Sequence, residues 1–590
     1  MTHTYDALGR IETMVDASGT TTHNYDERGN LLSKTNAAGT LNYVYDAANN
    51  LQSTSSDSTG GLNLAYDYDG LNRLSTVTDS GAAQPPLEHG YTYDANGNLE
   101  TLSYSNGVTH TWTYDRKNRL KNLMVSDTSF AALSSYSFSL LSTGHRTGVT
   151  ELSGRTVAYS YDNLYRLTAE TISGSPNPLF DGTTDWEYDL VGNRLSQTSD
   201  INQILNLAET YSENNWLDSH TYDDNGNTTS SASYAEPAVT LADYYDWRNR
   251  LVRREKSDGT VIEVVYDGNG DRIRKTVTPF GGPGEITWFL VDRNNLTGYA
   301  QVVEEIAQGG QVEVIYSYGL DLISQDRYDA DTDSWTQSFY LYDGLGSARA
   351  LTDDAGTVTD EYTYDAWGVL LESIGTTENH YRFTGEQWDE DFDMFFLRAR
   401  YLNTATGRFH TMDTFEGVAT DPVTLHKYLY AHVNPVMYVD PSGFAAFWTE
   451  LQLVQTIQSA IRGSGAIALR VSVRKGGCLA FEYGIEKGIE AGFYLFLDNI
   501  GAYTGRSVEV DRRLKEHGNR IMRRLGRISA SVGTSPEQFR QIEQYLIDRM
   551  RDALNAGPED VRGKGGVSNR RNELNKKARE FLRKTVKLCK

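Results

Sequence analysis

The stretch "HNYDERGNLLSKTNAAGTLNYVYD", residues 23–46, closes on the same Tyr-Asp dipeptide that it carries near its start. Read outward from Tyr25-Asp26, it predicts a strand ending on the tyrosine, a turn over Asp26 to Gly29, and an alternating strand. A second turn at Gly39 and the next tyrosine-bearing strand follow. Asp, Asn and Gly gather at the turns, where short polar side chains bond the backbone and positive φ is needed. The dipeptide recurs at Tyr5, Tyr25, Tyr45, Tyr68, Tyr93 and Tyr114, at intervals of 20, 20, 23, 25 and 21 residues, and continues less regularly to Tyr342 and Tyr364. One hairpin cannot bury its apolar face alone, so the units must stack or wind into a continuous sheet, with tyrosine rings packed inward or between strands.

Composition agrees with ordered β structure. The 590 residues include 38 Tyr and 19 Phe but 12 Pro, which is too aromatic and too poor in proline for a disordered chain. Charge divides the chain in two. Residues 445–590 hold 27 Lys and Arg against 16 Asp and Glu, net +11, leaving 28 against 63, net −35, in residues 1–444. A basic module beside a strongly acidic one suggests a polyanion-binding activity held against an acidic wall. Cys478 and Cys589 lie in no CxxC or Cys/His spacing, which argues against structural zinc. The start "MTHTYDALGR" has no basic and apolar leader pattern, and no apolar run approaches the roughly 20 residues that span a bilayer. Stable membrane insertion is therefore not expected, and export would need a route other than a simple signal peptide.

The Tyr-Asp pattern over residues 1–370 resembles the YD repeats of Rhs and teneurin-type proteins. That resemblance implies a mainly β fold in which a YD-repeat sheet spirals into a hollow shell, followed here by a small α/β C-terminal domain. The organisation expected is a shell over 1–337, a core over 338–444, a linker over 445–489 and an effector over 490–590. The runs "YRFTGEQWDEDFDMFFLRARYLNTATGRFHTMD" and "LHKYLYAHVNPVMYVDPSGF" resemble the Rhs-associated core, which in that family ends in DPxG. Here this is Asp440-Pro441-Ser442-Gly443, followed by Phe444. The resemblance implies an intramolecular aspartyl protease with Asp413 and Asp440 as its pair and cleavage after Phe444. Arg398, Arg400 or Arg408 would hold a carboxylate ionised. Two adjacent carboxylates share one proton, so that one activates water while the other donates to the scissile carbonyl. The family more often has Asp-Pro at the first position; Asp413-Thr414 keeps the carboxylate and changes the turn.

Past Phe444 the character changes. In "GFYLFLDNIGAYTGRSVEVDRRLKEH", residues 492–517, Phe493 to Leu497 reads as a strand and Ala502 to Thr504 as its partner, so that Tyr494 and Tyr503 face one another. Ser507 caps a helix on which Arg513 and His517 stand at i,i+4. A second helix opens at Ser535-Pro536 and carries Glu543 at the margin of its apolar face. The order of "GFY", "YTG", Arg513, His517, Glu543 and "SNRRNELN" resembles a GIY-YIG nuclease, with Phe493 and Thr504 as departures. By that resemblance Glu543 would anchor Mg²⁺ or another divalent cation and Arg513 would steady the phosphate. Tyr494 and Tyr503 would position and deprotonate water with help from His517. An asparagine completes such sites; Asn569 and Asn572 both fit, with Asn572 preferred.

The resemblance implies an antibacterial toxin acting on DNA in the target-cell cytoplasm, delivered by a secretion apparatus and matched by an immunity protein. An RNase effector is the nearer alternative. The more distant one is a surface adhesion or carbohydrate-binding repeat protein whose basic tail binds nucleic acid without cutting it.

Overall fold

The computed structural model describes residues 1–81, 85–417 and 422–444 and the strand Phe447–Trp448. Its sheets are antiparallel throughout. Nineteen strands, from Thr2–Tyr5 to Leu207–Ala208, form one sheet, and fourteen, from Thr221–Tyr222 to Leu370–Ile374, form a second. Each strand pairs with its neighbour in sequence. An isolated bridge between Tyr211 and Leu217 spans the gap between the sheets. The strand Ser334–Tyr342 runs across the 337/338 boundary, so the sheet continues into the core region. A four-stranded sheet follows, made of Gln387–Asp389, Met394–Leu397, Arg400–Asn403 and Arg408–Phe409.

The repeat's local chemistry explains its sequence. Asp26 accepts the Arg28 and Asn30 N–H groups on Oδ1, each at 2.8 Å, and the Asn30 side-chain amide on Oδ2 at 2.9 Å. The position three residues after such an aspartate takes positive φ, as Gly29 (+92°) and Asn249 (+61°) do. Gly and Asn pay least for that conformation, which is why they recur there. The tyrosine before the aspartate sends its hydroxyl to the preceding repeat: Tyr68 donates to the Leu51 carbonyl at 2.7 Å, Tyr188 to Leu167 at 2.7 Å and Tyr245 to Thr228 at 2.6 Å. Four of the arginines that follow these turns stack on the next repeat's tyrosine: Arg10 over Tyr25, Arg73 over Tyr93, Arg166 over Tyr188 and Arg250 over Tyr266. The dipeptide is thus a turn and a link between neighbouring hairpins, and its rings pack between strands as the alternation implies.

Long-range bonds then wind the ribbon over its own start. Tyr43 donates to Asp292 at 2.8 Å, the Leu62 N–H to Glu304 at 2.8 Å, Tyr104 to the Tyr340 carbonyl at 2.8 Å and the Ala366 N–H to Glu170 at 3.0 Å. One apolar core runs from Ala38 to Tyr438 through both sheets. The four-stranded sheet is fastened to the second sheet by the buried ion pair of Arg272 with Asp389, and by the Arg254–Asp243 pair, from which Arg254 donates to the Phe392 carbonyl at 2.7 Å and Asp243 takes His410 at 2.7 Å. The His410 contact ties down the chain three residues before Asp413.

Candidate self-cleavage site

The site is built on a tight hairpin. Leu397 pairs with Arg400, leaving Arg398 and Ala399 as a two-residue turn in which Arg398 takes φ +58°. Both arginines therefore project from the hairpin tip. Arg400 is buried and lies 3.6 Å over the Phe409 ring. Its Nε donates to the Gly443 carbonyl and its Nη1 to the Lys427 carbonyl at 3.0 Å. Its Nη2 reaches Asp413 Oδ2 at 3.1 Å and Asp440 Oδ2 at 3.5 Å. One guanidinium nitrogen thus gathers two buried carboxylates that stand 27 residues apart in the chain. Burial lowers the Arg400 pKa, and the two aspartates oppose that shift; a guanidinium stays charged in either case.

Each aspartate is also held by its own turn. Asp413 donates its N–H to the Lys427 carbonyl at 2.9 Å and accepts the Phe415 N–H on Oδ1 at 2.8 Å, so the turn is secured without a proline at position 414. Asp440 Oδ1 accepts the Ser442 hydroxyl and the Phe444 N–H, both at 3.1 Å, while its carbonyl accepts the Gly443 N–H at 3.2 Å. Gly443 sits at φ +68°, and a Cβ there would strike the Leu397 carbonyl oxygen and lie 3.0 Å from the Arg400 nitrogen. The last glycine of DPSG is therefore required by the hairpin tip.

Of the three arginines singled out from the sequence, Arg400 holds the aspartates. Arg408 turns away, donating to the Asn215 carbonyl at 2.6 Å and stacking on Tyr211 and Tyr428. Arg398 contacts the junction by another route, donating to the Pro441 carbonyl and, at 2.7 Å, to Glu386. Glu386 was not singled out by sequence reasoning. Burial pushes its pKa up to about 7 against the pull of Arg398, and burial likewise pushes nearby Asp321 up to about 6. Thr384 and Gly385, which precede Glu386 in "FTGE", both take positive φ, and nothing in that run marks the glutamate from sequence alone.

Tyr494, Tyr503, Arg513, His517, Glu543, Asn569 and Asn572 lie outside the described residues, as do Cys478 and Cys589. Among the described residues no group of three or more His, Cys, Asp or Glu is placed to hold a metal ion, and no helix is long and apolar enough to cross a membrane.

The fold and the repeat chemistry define a YD-repeat sheet protein. Residues 5–41 and 25–62 match the RHS Repeat family, so this chain carries RHS repeats. It is 28% identical over 393 residues to the tRNA nuclease WapA of Bacillus subtilis (strain 168), covering 64% of this chain and 15% of that protein. It is 26% identical over 317 residues to double-stranded DNA deaminase toxin A of Burkholderia cenocepacia (strain H111), covering 49% and 21%. The toxin protein Tse5 of Pseudomonas aeruginosa is 25% identical over 411 residues, covering 64% and 26%. The chain thus spans about a sixth to a quarter of the length of these relatives. Among solved structures, TcdB2-TccC3-Cdc42 shares the fold with a TM-score of 0.62 at 16% identity, over 78% of this chain and 25% of that one. The Photorhabdus luminescens Tc holotoxin pore does so at 0.61 and 16%, over 75% and 24%.

Proposed function

We propose that this chain is the shell and cargo of an Rhs-type antibacterial toxin, in which the sheet encloses a C-terminal nuclease and the core cuts the chain after Phe444. The carrying observation is Arg400, which draws Asp413 and Asp440 together while binding the Gly443 carbonyl of the junction itself. In the cleavage step the ionised carboxylate takes a proton from water, the resulting hydroxide adds to the Phe444 carbonyl carbon, and the other aspartate, as the carboxylic acid, protonates the carbonyl oxygen. Collapse breaks the C–N bond and delivers a proton to the departing Ala445 amine, so one water is consumed per cut. Arg400 keeps at least one carboxylate ionised.

Two features support a nucleic-acid cargo: the net +11 of residues 445–590 against the net −35 of the shell region, and relatives named as nucleases and as a DNA deaminase. The released segment would hydrolyse DNA through Tyr494, Tyr503, Arg513, His517, Glu543 and Asn572 or Asn569. A divalent cation, most simply Mg²⁺, supplies charge neutralisation at the phosphate when held by Glu543. The tRNA nuclease names make RNA the second substrate to test. Delivery into a target cell through a secretion apparatus, and an immunity protein in the producing cell, complete the reading.

The test is incubation of the purified full-length chain. The expected result is a fragment beginning at Ala445 that is absent from the Asp413→Asn and Asp440→Asn variants. Cleavage elsewhere, or undiminished cleavage in both variants, refutes the proposal. In the same preparation Glu543→Ala should retain self-cleavage and lose magnesium-dependent degradation of plasmid DNA and tRNA.

A further inference from the structure

Arg398 distributes its guanidinium over three separate parts of the fold. Its Nε donates to the Ala300 carbonyl at 2.6 Å, and its Nη2 donates to Gln301 Oε1 at 2.9 Å, at the start of the strand Gln301–Ala307. Its Nη1 donates to Glu386 Oε2 at 2.7 Å and to the Pro441 carbonyl. The guanidinium is a rigid planar fork, so a change at one anchor re-aims the others. Arg398 thereby transmits the state of Glu386 to a peptide carbonyl inside the cleavage junction. Gln301, at the start of its strand, and Ala300 just before it fix the fork's opposite edge, so the junction is held in place against the wound sheet.

We propose that Glu386, acting through Arg398, is the positioning carboxylate that holds the Asp440–Phe444 junction for cleavage and makes self-cleavage depend on pH. This rests on the reading of Asp413 and Asp440 as the cleaving pair. Glu386 is buried and is faced by Arg398, Asp321, Asp440, Tyr299, Tyr381 and Tyr430. As a carboxylate it accepts a charge-assisted bond from Nη1; with a proton on, it can no longer hold the cation so firmly, and the fork loosens on the Pro441 carbonyl. Burial pushes that titration up to about 7 against the pull of Arg398. Glu386 touches no reacting atom in this scheme, so its loss alters the rate and its pH profile and leaves the cutting pair intact.

The experiment follows cleavage of the full-length chain from about pH 5.5 to 8.5. Wild type is expected to speed up as pH rises through about 7. Glu386→Gln keeps the side chain's shape and one acceptor oxygen but cannot ionise, and it is expected to cleave slowly with no inflection in that window. Arg398→Lys keeps the charge and loses the fork, and it is expected to cleave roughly tenfold more slowly. It also decides the matter if Glu386→Gln does not fold. If both variants keep the wild-type rate and inflection while Asp440→Asn is inert, this inference falls and the reading of the aspartate pair stands. If wild type does not cleave, or Asp440→Asn cleaves normally, the reading of the pair fails and takes this inference with it.

Discussion

Replacing Gly443 with alanine tests the junction geometry most directly. Two costs follow from the structure. An L-residue at φ +68° pays about 1–2 kcal/mol relative to glycine. The new methyl would also meet the Leu397 carbonyl oxygen, the Arg400 nitrogen at 3.0 Å and the Ala399 Cβ at 3.3 Å. The first two are backbone atoms of a two-residue hairpin and cannot rotate aside as a flexible side chain would. Overpacking of this kind costs about 1–3 kcal/mol. Together the costs amount to about 2–5 kcal/mol against the one conformation that binds Arg400 Nε and places Phe444 beside Asp440. If cleavage proceeds from that conformation, its rate falls roughly 30-fold to several thousand-fold. The assay is the time course of full-length chain lost and fragment gained, read by intact mass. Gly443→Asn separates the two costs, because asparagine tolerates positive φ better and carries the same Cβ; it should cleave several-fold faster than alanine and still well below wild type. Gly443→Ala cleaving at the wild-type rate, with the sheet folded, would refute the claim that the hairpin tip clamps the junction.

Three further outcomes are expected. His380 lies between Glu305 at 3.2 Å and Glu378 at 3.0 Å. Burial disfavours its charge, but the two carboxylates outweigh this and raise its pKa to about 9. Its folded value exceeds its ordinary 6.5, so this stabilisation is complete below that pH and is lost as pH rises through about 9. Urea midpoints across that window should show the loss, about 2 kcal/mol, and His380→Gln should flatten it. Asp162 accepts the Leu164 and Arg166 N–H groups and the Arg166 Nε. Asp162→Ala should destabilise the sheet by about 2 kcal/mol, whereas Asp162→Asn, which keeps the Oδ1 acceptor, should cost less than half of that by urea titration. Tyr245→Phe removes one buried hydroxyl and strands the Thr228 carbonyl; about 1 kcal/mol should be lost, with hydrogen exchange quickening at that hairpin.

The repeat was legible because its physics is local. Asp26 satisfies groups two and four residues ahead of it, Gly29 supplies the positive φ between them, and the tyrosine reaches back a single repeat. All of these relations fall within a window that a reader of the sequence can scan. The aspartate pair proposed to cleave was reachable through motif resemblance, since Asp413 and Asp440 each close a recognisable run. Their shared cation was less accessible. Arg398, Arg400 and Arg408 look equivalent in "LRARYLNTATGRF", and what separates them is the hairpin register, which leaves Arg398 in the turn, points Arg400 at the aspartates and gives Arg408 to the Asn215 carbonyl. Glu386 was illegible for a stronger reason. Its partner Arg398 is itself anchored at positions 300, 301 and 441, and no periodicity links these to Glu386.

The sequence by itself determined the strands, the turns and the direction in which the ribbon grows, because backbone hydrogen bonding and turn chemistry act over a few residues. It also carried the charge contrast between the acidic repeats and the basic end. Tertiary structure decided where the ribbon returns upon itself and therefore which buried charges meet. An isolated buried carboxylate or guanidinium is strongly disfavoured in a low-dielectric interior, so each had to find partners across the winding. That demand brought Arg400 to two aspartates and tied Glu386, through Arg398, to the junction.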